Sequence, residues 1–266
     1  MKPDKAITSP SNPVIKFMAS IAMKKYRDEE KLFMVESLRD VSSAAEHGFR
    51  LRYLAYDPST ASTAGIERLR SLAPENAEGY TLTKELLGKI THRDNPQDVV
   101  GLFEQKLQPL DAITANTWVV LEGIRDPGNL GTIIRTVDAV GAGGVILVGE
   151  TCDPWSPETI RATMGSFAHV GIARVSLDEF LNWRPRFKGV MTGTHLHTST
   201  DYRDADYAAD MLLAMGSEQS GLSDRLKDAC DRLVKIPMAG KAESLNLAVS
   251  TGVMLYRTCD KRLFLQ

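Results

Sequence analysis

Runs of apolar residues at two periods divide the chain into alternating helices and strands. In the first hundred residues "NPVIKFMASIAMKKYR" (12–27) places apolar side chains at helical spacing, and "KLFMVE" (31–36) reads as a strand. "SLRDVSSAAEHG" (37–48) predicts a helix closed by Gly48. A strand at "LRYLAYD" (51–57), helices near 62–72 and at "KELLGKI" (84–90), and a strand at "DVVGLFE" (98–104) complete a small α/β domain over 1–104. Residues 105–116, "QKLQPLDAITAN", lose the periodicity, contain Pro109 and read as a linker.

From 117 to 266 the pattern changes. "TWVVLE" (117–122), "VILVGE" (145–150), "GVMTGT" (189–194), "MLLAMG" (211–216) and "RLVKIP" (232–237) are nearly continuous apolar runs, as parallel strands covered on both faces require. "GNLGTIIRTVDAVGAGG" (128–144) supplies a loop, a helix and a Gly-rich stop between the first two, which makes a βαβ unit. A final helix is expected to start near Ser244, a good N-cap type, and to run to about Arg257. It is apolar around most of its circumference, so one sheet cannot cover it and a second surface must. The fold class is α/β: an open parallel sheet with helices on both faces, preceded by a smaller α/β domain.

Composition narrows the chemistry mainly by exclusion. The 266 residues carry a net charge of −2, so any nucleic-acid surface must be local. The segment 1–27 is one candidate, with Lys2, Lys5, Lys16, Lys24, Lys25 and Arg27 against the single acid Asp4. The alternative is a solvated helix face, which charge alone favours. Cys152, Cys230 and Cys259 have no paired spacing, so neither a disulfide framework nor a zinc site is expected. His195 and His197 form an HxH pair with no third ligand at useful spacing, and a structural role is expected for them. No segment reaches the roughly 18 apolar residues of a membrane helix, and no signal peptide is legible. A soluble, cytoplasmic protein without a metal is the expectation.

Ligands bind at the carboxyl ends of parallel strands, and three such ends run into polar, Gly-containing loops: "EGIRDPGNLG" (122–131), "GSEQSGLSD" (216–224) and "IPMAGKAESLN" (236–246). "GNLG" lacks the spacing of a dinucleotide fingerprint, which disfavours a nicotinamide-dependent oxidoreductase. Together the loops supply an amide, a guanidinium, a carboxylate, a hydroxyl and a second amide.

"DPGNLGTIIRT", "GSEQSGLSD" and "IPMAGKAESLNLAVSTG", in that order, resemble the three motifs of SpoU/TrmH-like RNA ribose 2′-O-methyltransferases of the SPOUT superfamily. "SPSNPVIKFMASIAMKKYRDEEKLFMVES" resembles the substrate-binding domain, similar to ribosomal protein L30e, that precedes many members; Ser37 stands where those commonly carry Gly. The resemblance implies an L30e-like RNA-binding domain over 1–104 and a domain over 117–266 with a deep trefoil knot. It implies S-adenosylmethionine as cofactor, near Thr194, Gly216, Ile236, Met238 and Leu245, without a metal. It implies catalytic roles for Asn129, Arg135, Glu218, Ser244 and Asn246. A guanidinium rarely gives up its proton, so Arg135 is expected to grip a phosphate or stabilise the developing alkoxide. Glu218 is expected to hold Asn129 or Arg135, or to cap its own loop. The implied substrate is ribosomal RNA, with transfer RNA as the alternative, bound in part by Lys16, Lys24, Lys25 and Arg27. The implied assembly is a homodimer. A non-catalytic RNA-binding protein would not need Asn129, Arg135 and Asn246, and all three are present. The target nucleotide is not legible.

Overall fold

The computed structural model describes residues 1–263. The chain forms two compact units: residues 1–106 with 153–168, and residues 107–152 with 169 onward.

The first unit is built on a mixed five-stranded sheet in the order β1-β4-β3-β5-β2. Its strands are β1 (Lys5–Ala6), β2 (Leu32–Glu36), β3 (Leu51–Tyr56), β4 (Glu78–Thr81) and β5 (Val99–Glu104), and its helices α1 (Pro13–Ser20), α2 (Lys24–Glu30), α3 (Leu38–Glu46), α4 (Thr63–Leu72) and α5 (Lys84–Thr91). β2 alternates, as the two-residue period of a strand requires. Met34 joins Ile15, Met18, Leu87 and Ile90 of α1 and α5 in one core cluster, whereas Phe33 meets Phe49 and Phe103 in an aromatic cluster. The two-residue β1 and the mixed-polarity β4 carry no periodic signal in the sequence.

The helix expected over 12–27 breaks after Ser20, where Met23 is extended (φ −92°, ψ 132°) and α2 begins anew. Arg27 satisfies two carbonyls of the connection between the helices: its Nη1 donates to Ile21 O at 3.0 Å and Ala22 O at 2.6 Å. Its guanidinium also pairs with Asp153 at 2.8 Å, with both side chains buried. Arg27 is therefore a structural ion pair and cannot be an RNA contact of the basic segment, which corrects the expectation for that residue.

The second unit carries β6 (Thr117–Glu122), α6 (Pro127–Ala139) and β7 (Gly144–Val148) before the chain reaches 153–168. That stretch includes α7 (Pro157–Ala162) and belongs to the first unit. Trp155 packs against Phe33 with ring centroids 4.5 Å apart and planes tilted by 37°, and Phe167 meets Phe33 edge-on at 5.6 Å. The stretch lies within the 117–266 span read from the sequence as one domain, and its rings pack into the first compact unit. The second unit resumes with β8 (Gly171–Val175), α8 (Leu177–Trp183), β9 (Val190–Thr194), β10 (Met211–Met215), α9 (Asp224–Asp228), β11 (Arg232–Val234), α10 (Leu247–Thr258) and α11 (Asp260–Leu263).

Its sheet is all-parallel, in the order β11-β9-β10-β6-β7-β8. β8 is an addition to the expected strands. Trp118 of β6 pairs in register with Gly144, which pairs with Gly171. The Trp118 ring occupies the space that side chains at those glycines would need: a Cβ on Gly171 would lie 2.3 Å from it, and one on Gly144 2.5 Å. From β6 the chain first proceeds outward to β7 and β8, then crosses back to β9 and β10 on the other side. The strand order thus reverses between β6 and β10, the place where a parallel sheet opens a crevice at its carboxyl edge.

Candidate active site

A cavity of about 550 Å³ opens at that edge, lined by segments following β9, β10 and β11 and by the start of α10. Thr194, Gly216, Ile236, Met238 and Leu245, the residues expected at the cofactor, all line it, as do Glu218, Ser244 and Asn246. Gly216 is needed there because a Cβ would lie 2.0 Å from the Gly221 carbonyl carbon, where the 217–221 loop folds back on itself. That turn is closed by reciprocal backbone hydrogen bonds between Ser217 and Gly221, at 3.1 and 3.0 Å. The Thr194 hydroxyl donates to Met215 Sδ at 3.5 Å, which ties the ends of β9 and β10 together under the cavity.

Three loops meet in one chain of hydrogen bonds. Asn246 Nδ2 donates to Asn129 Oδ1 at 3.0 Å, and Asn129 Nδ2 donates to Glu218 Oε1 at 2.9 Å. A carboxylate only accepts, so Glu218 fixes which way the Asn129 amide faces and, through it, the facing of Asn246. Asn246 is also the N-cap of α10: its Oδ1 accepts from Ala248 N at 2.9 Å and Val249 N at 3.2 Å. The cap expected at Ser244 therefore sits two residues later. Ser244 is exposed in the approach to the helix, on the cavity wall. Asn129 is held by its own helix start, where Asp126, the N-cap of α6, accepts its backbone N–H at 2.8 Å.

Arg135 lies apart from this chain. It is exposed on α6, lines neither this cavity nor the one beside it, and has no hydrogen-bond or ion-pair partner among the described residues. Six residues beyond Asn129, it is about 9 Å farther along the helix axis. The geometry leaves its guanidinium available to a ligand that reaches across the helix. Lys16, Lys24 and Lys25 are exposed in the first unit, with Lys25 Nζ 5.7 Å from the centroid of the Tyr26 ring.

Sequence reasoning passed over several cavity residues, among them Ser217, Lys235 and Ser250. Position at a strand end was the available signal. His195 and His197 are also on the wall. Burial, then the Lys227 charge and His197, hold the His195 pKa below its ordinary value, so the ring stays neutral over a wider range. Among the described residues no group of three or more His, Cys, Asp or Glu side chains is arranged to hold a metal ion, and no helix is long and apolar enough to cross a membrane.

Comparison with known proteins gives a consistent result. Residues 116–256 match the SpoU rRNA Methylase family, and residues 12–101 match the MRM3-like substrate binding domain. A 23S rRNA (uridine(2479)-2′-O)-methyltransferase of Streptomyces viridochromogenes is 32% identical over 267 aligned residues, covering 97% of this chain and 92% of that protein. The 23S rRNA (guanosine(2553)-2′-O)-methyltransferase RlmP of Bacillus subtilis is 27% identical over 95% of this chain and 98% of its own. A crystal structure of an AdoMet-bound rRNA methyltransferase from Sinorhizobium meliloti superposes with a TM-score of 0.91 at 43% identity, covering 98% of this chain and 99% of that one.

Proposed function

The chain belongs to the SpoU rRNA Methylase family, and on that footing we propose that it is an S-adenosylmethionine-dependent methyltransferase acting on a ribose 2′-hydroxyl of ribosomal RNA. The observation that carries the reading is the Asn246–Asn129–Glu218 chain at the mouth of the strand-end cavity. The cavity fits the cofactor. About 550 Å³ lies within the range of small-molecule sites, roughly 300–1,000 Å³. Ile236, Met238 and Leu245 offer apolar walls to a flat base, and Gly216 allows close main-chain approach. Thr194, Gly216, Ile236, Met238 and Leu245 would hold S-adenosylmethionine, which when bound supplies an electrophilic methyl group.

The chain's own residues have positioning and electrostatic work to do. Asn129 and Asn246 hold the ribose in line, their amides aligned by Glu218, and Ser244 adds a hydroxyl to the same wall. Fixed orientation of reactants is a large part of the acceleration available to a displacement of this kind. Arg135 keeps its proton and acts by gripping a phosphate or stabilising charge on the hydroxyl oxygen as its proton leaves.

The remaining parts of the proposal concern architecture. The chain after β11 threads a deep trefoil knot, and the domain over residues 1–104 is L30e-like and binds RNA, with Lys16, Lys24 and Lys25 in contact. The protein works in the cytoplasm as a homodimer. Support for the dimer comes from α10, where Val249 and Tyr256, seven residues apart on one helical face, are 53% and 55% exposed. A second copy of the chain would cover this face.

The test is methyl transfer from labelled S-adenosylmethionine to 23S rRNA, with 2′-O-methyl mapping of the product, and light scattering at micromolar concentration. Arg135→Ala is expected to abolish transfer while cofactor binding and the dimer persist. An active Arg135→Ala protein would remove Arg135 from the mechanism, and a monomer that methylates normally would remove the dimer.

A further inference from the structure

A second cavity, about 770 Å³, adjoins the first across the 217–221 loop, which lines both. Asn129 and Glu218 stand on its wall, so the reactive end of the proposed site faces it. Its charges are unevenly satisfied. Glu122 accepts from Ser223 N at 2.7 Å and Ser223 Oγ at 2.6 Å. Asp126 accepts from Asn129 N, and Glu218 from Asn129 Nδ2. Lys227 pairs with Asp224 at 2.7 Å. Arg125 also lines the cavity, is exposed, and has no hydrogen-bond or ion-pair partner among the described residues.

Among the described residues every carboxylate lining the cavity accepts a hydrogen bond or an ion pair, and Arg125 is the lining cation with its donors unspent. It directly precedes Asp126, the N-cap of α6, a helix of 13 residues whose positive end adds to the local field. Among the described residues no aromatic side chain lines the cavity, so they offer no platform on which a base could stack. A planar guanidinium with free donors in a polar, non-stacking cavity matches a phosphodiester.

We propose that this cavity receives the RNA phosphodiester adjoining the target ribose and that Arg125 binds it. The inference rests on the methyltransferase reading and deepens it: one cavity takes the cofactor, the other the sugar-phosphate backbone, and Asn129 and Glu218 stand on the wall of the second while Glu218 also lines the first. Arg125 then contributes to holding RNA and not to holding S-adenosylmethionine.

The experiment compares wild type, Arg125→Gln and Arg125→Lys, using 23S rRNA transcribed in vitro as the probe. RNA affinity is measured from 50 to 200 mM salt, together with cofactor affinity, thermal stability and the kcat and KM for methyl transfer. Arg125→Gln is expected to weaken RNA binding about tenfold and to lower the salt slope by about one phosphate contact. Its loss should appear in KM for RNA, with cofactor affinity and melting temperature unchanged. Arg125→Lys should restore the salt slope and only part of the affinity, because an ammonium lacks the two-pronged geometry. A folded Arg125→Gln protein with wild-type RNA affinity and salt slope would overturn the assignment, as would an equal loss of cofactor affinity. A wild-type protein that binds RNA and cofactor but transfers no methyl group would instead overturn the methyltransferase reading, and the Arg125 role with it.

Discussion

Asn246 does two things with one side chain, and a single substitution separates them. Its Oδ1 caps α10, while its Nδ2 donates to Asn129 at 3.0 Å. Asn246→Asp keeps the capping oxygen and places a negative charge at a helix N-terminus, worth about 0.3–1 kcal/mol in favour of the fold. It removes the donor, however, and sets carboxylates on both sides of the Asn129 amide, with Glu218 on the other. Whichever way that amide turns, its oxygen then faces a carboxylate. Asn246→Ala loses the donor and the cap together, and the cap alone is worth about 1 kcal/mol, or roughly 2–4 °C in melting temperature for a unit of this size.

The two variants should therefore rank in opposite orders. By calorimetry Asn246→Asp should melt at or above wild type, and Asn246→Ala a few degrees below. In methyl transfer both should fall by about 10- to 100-fold, the equivalent of a hydrogen bond in a charged chain at roughly 1.5–3 kcal/mol. Asn246→Asp should be the worse enzyme. If activity instead followed stability, with Asn246→Asp near wild type, Asn246 would be a helix cap and no part of the site.

Removing Arg27 should destabilise the first unit and leave the RNA surface alone. Arg27→Met strands the buried Asp153 carboxylate, which costs about 3–5 kcal/mol and should lower the melting temperature by roughly 10 °C; an unchanged melting temperature with weaker RNA binding would return Arg27 to the basic face. Ser37 sits at φ 82°, a conformation that favours glycine, while its hydroxyl caps α3 through Asp40 N at 3.2 Å. Ser37→Gly relieves about 1 kcal/mol of strain and gives back a few tenths for the cap, so urea denaturation should show a more stable protein; a loss of stability would contradict the strain argument. Hydrogen bonds from the Ser59 hydroxyl and N–H hold the Asp57 carboxyl below its usual range. A depressed folded pKa contributes stability above the unfolded value, near 4, and loses it as pH falls through the folded pKa. Ser59→Ala should raise the Asp57 pKa in an NMR titration and flatten the acid limb of the stability curve, and an unshifted Asp57 would place the cause elsewhere.

What the sequence determined alone is what local periodicity can encode. Strands buried on both faces, such as Thr117–Glu122 and Met211–Met215, must be apolar nearly throughout and so declare themselves. Strand-end loops that share small and hydrogen-bonding residues pointed to the edge where the cavity lies, while the cofactor and the catalytic roles proposed there came from the family resemblance of those loops. Helix boundaries were less sharply written: Ser244 and Asn246 are both good caps, and the backbone chose the second.

Tertiary structure decided everything that depends on a partner distant in sequence. The charge of Arg27 reads as basic surface until Asp153, 126 residues away, meets it in the interior. Residues 153–168 lie inside the second half of the chain, yet Trp155 and Phe167 bury their rings against Phe33 in the first unit. Asn129 meets Glu218 across 89 residues and Asn246 across 117, a meeting set by the reversal of strand order between β6 and β10. Periodicity fixes which face of an element is buried, but the neighbour that covers it is chosen by sheet order and packing, and no local pattern carries that choice.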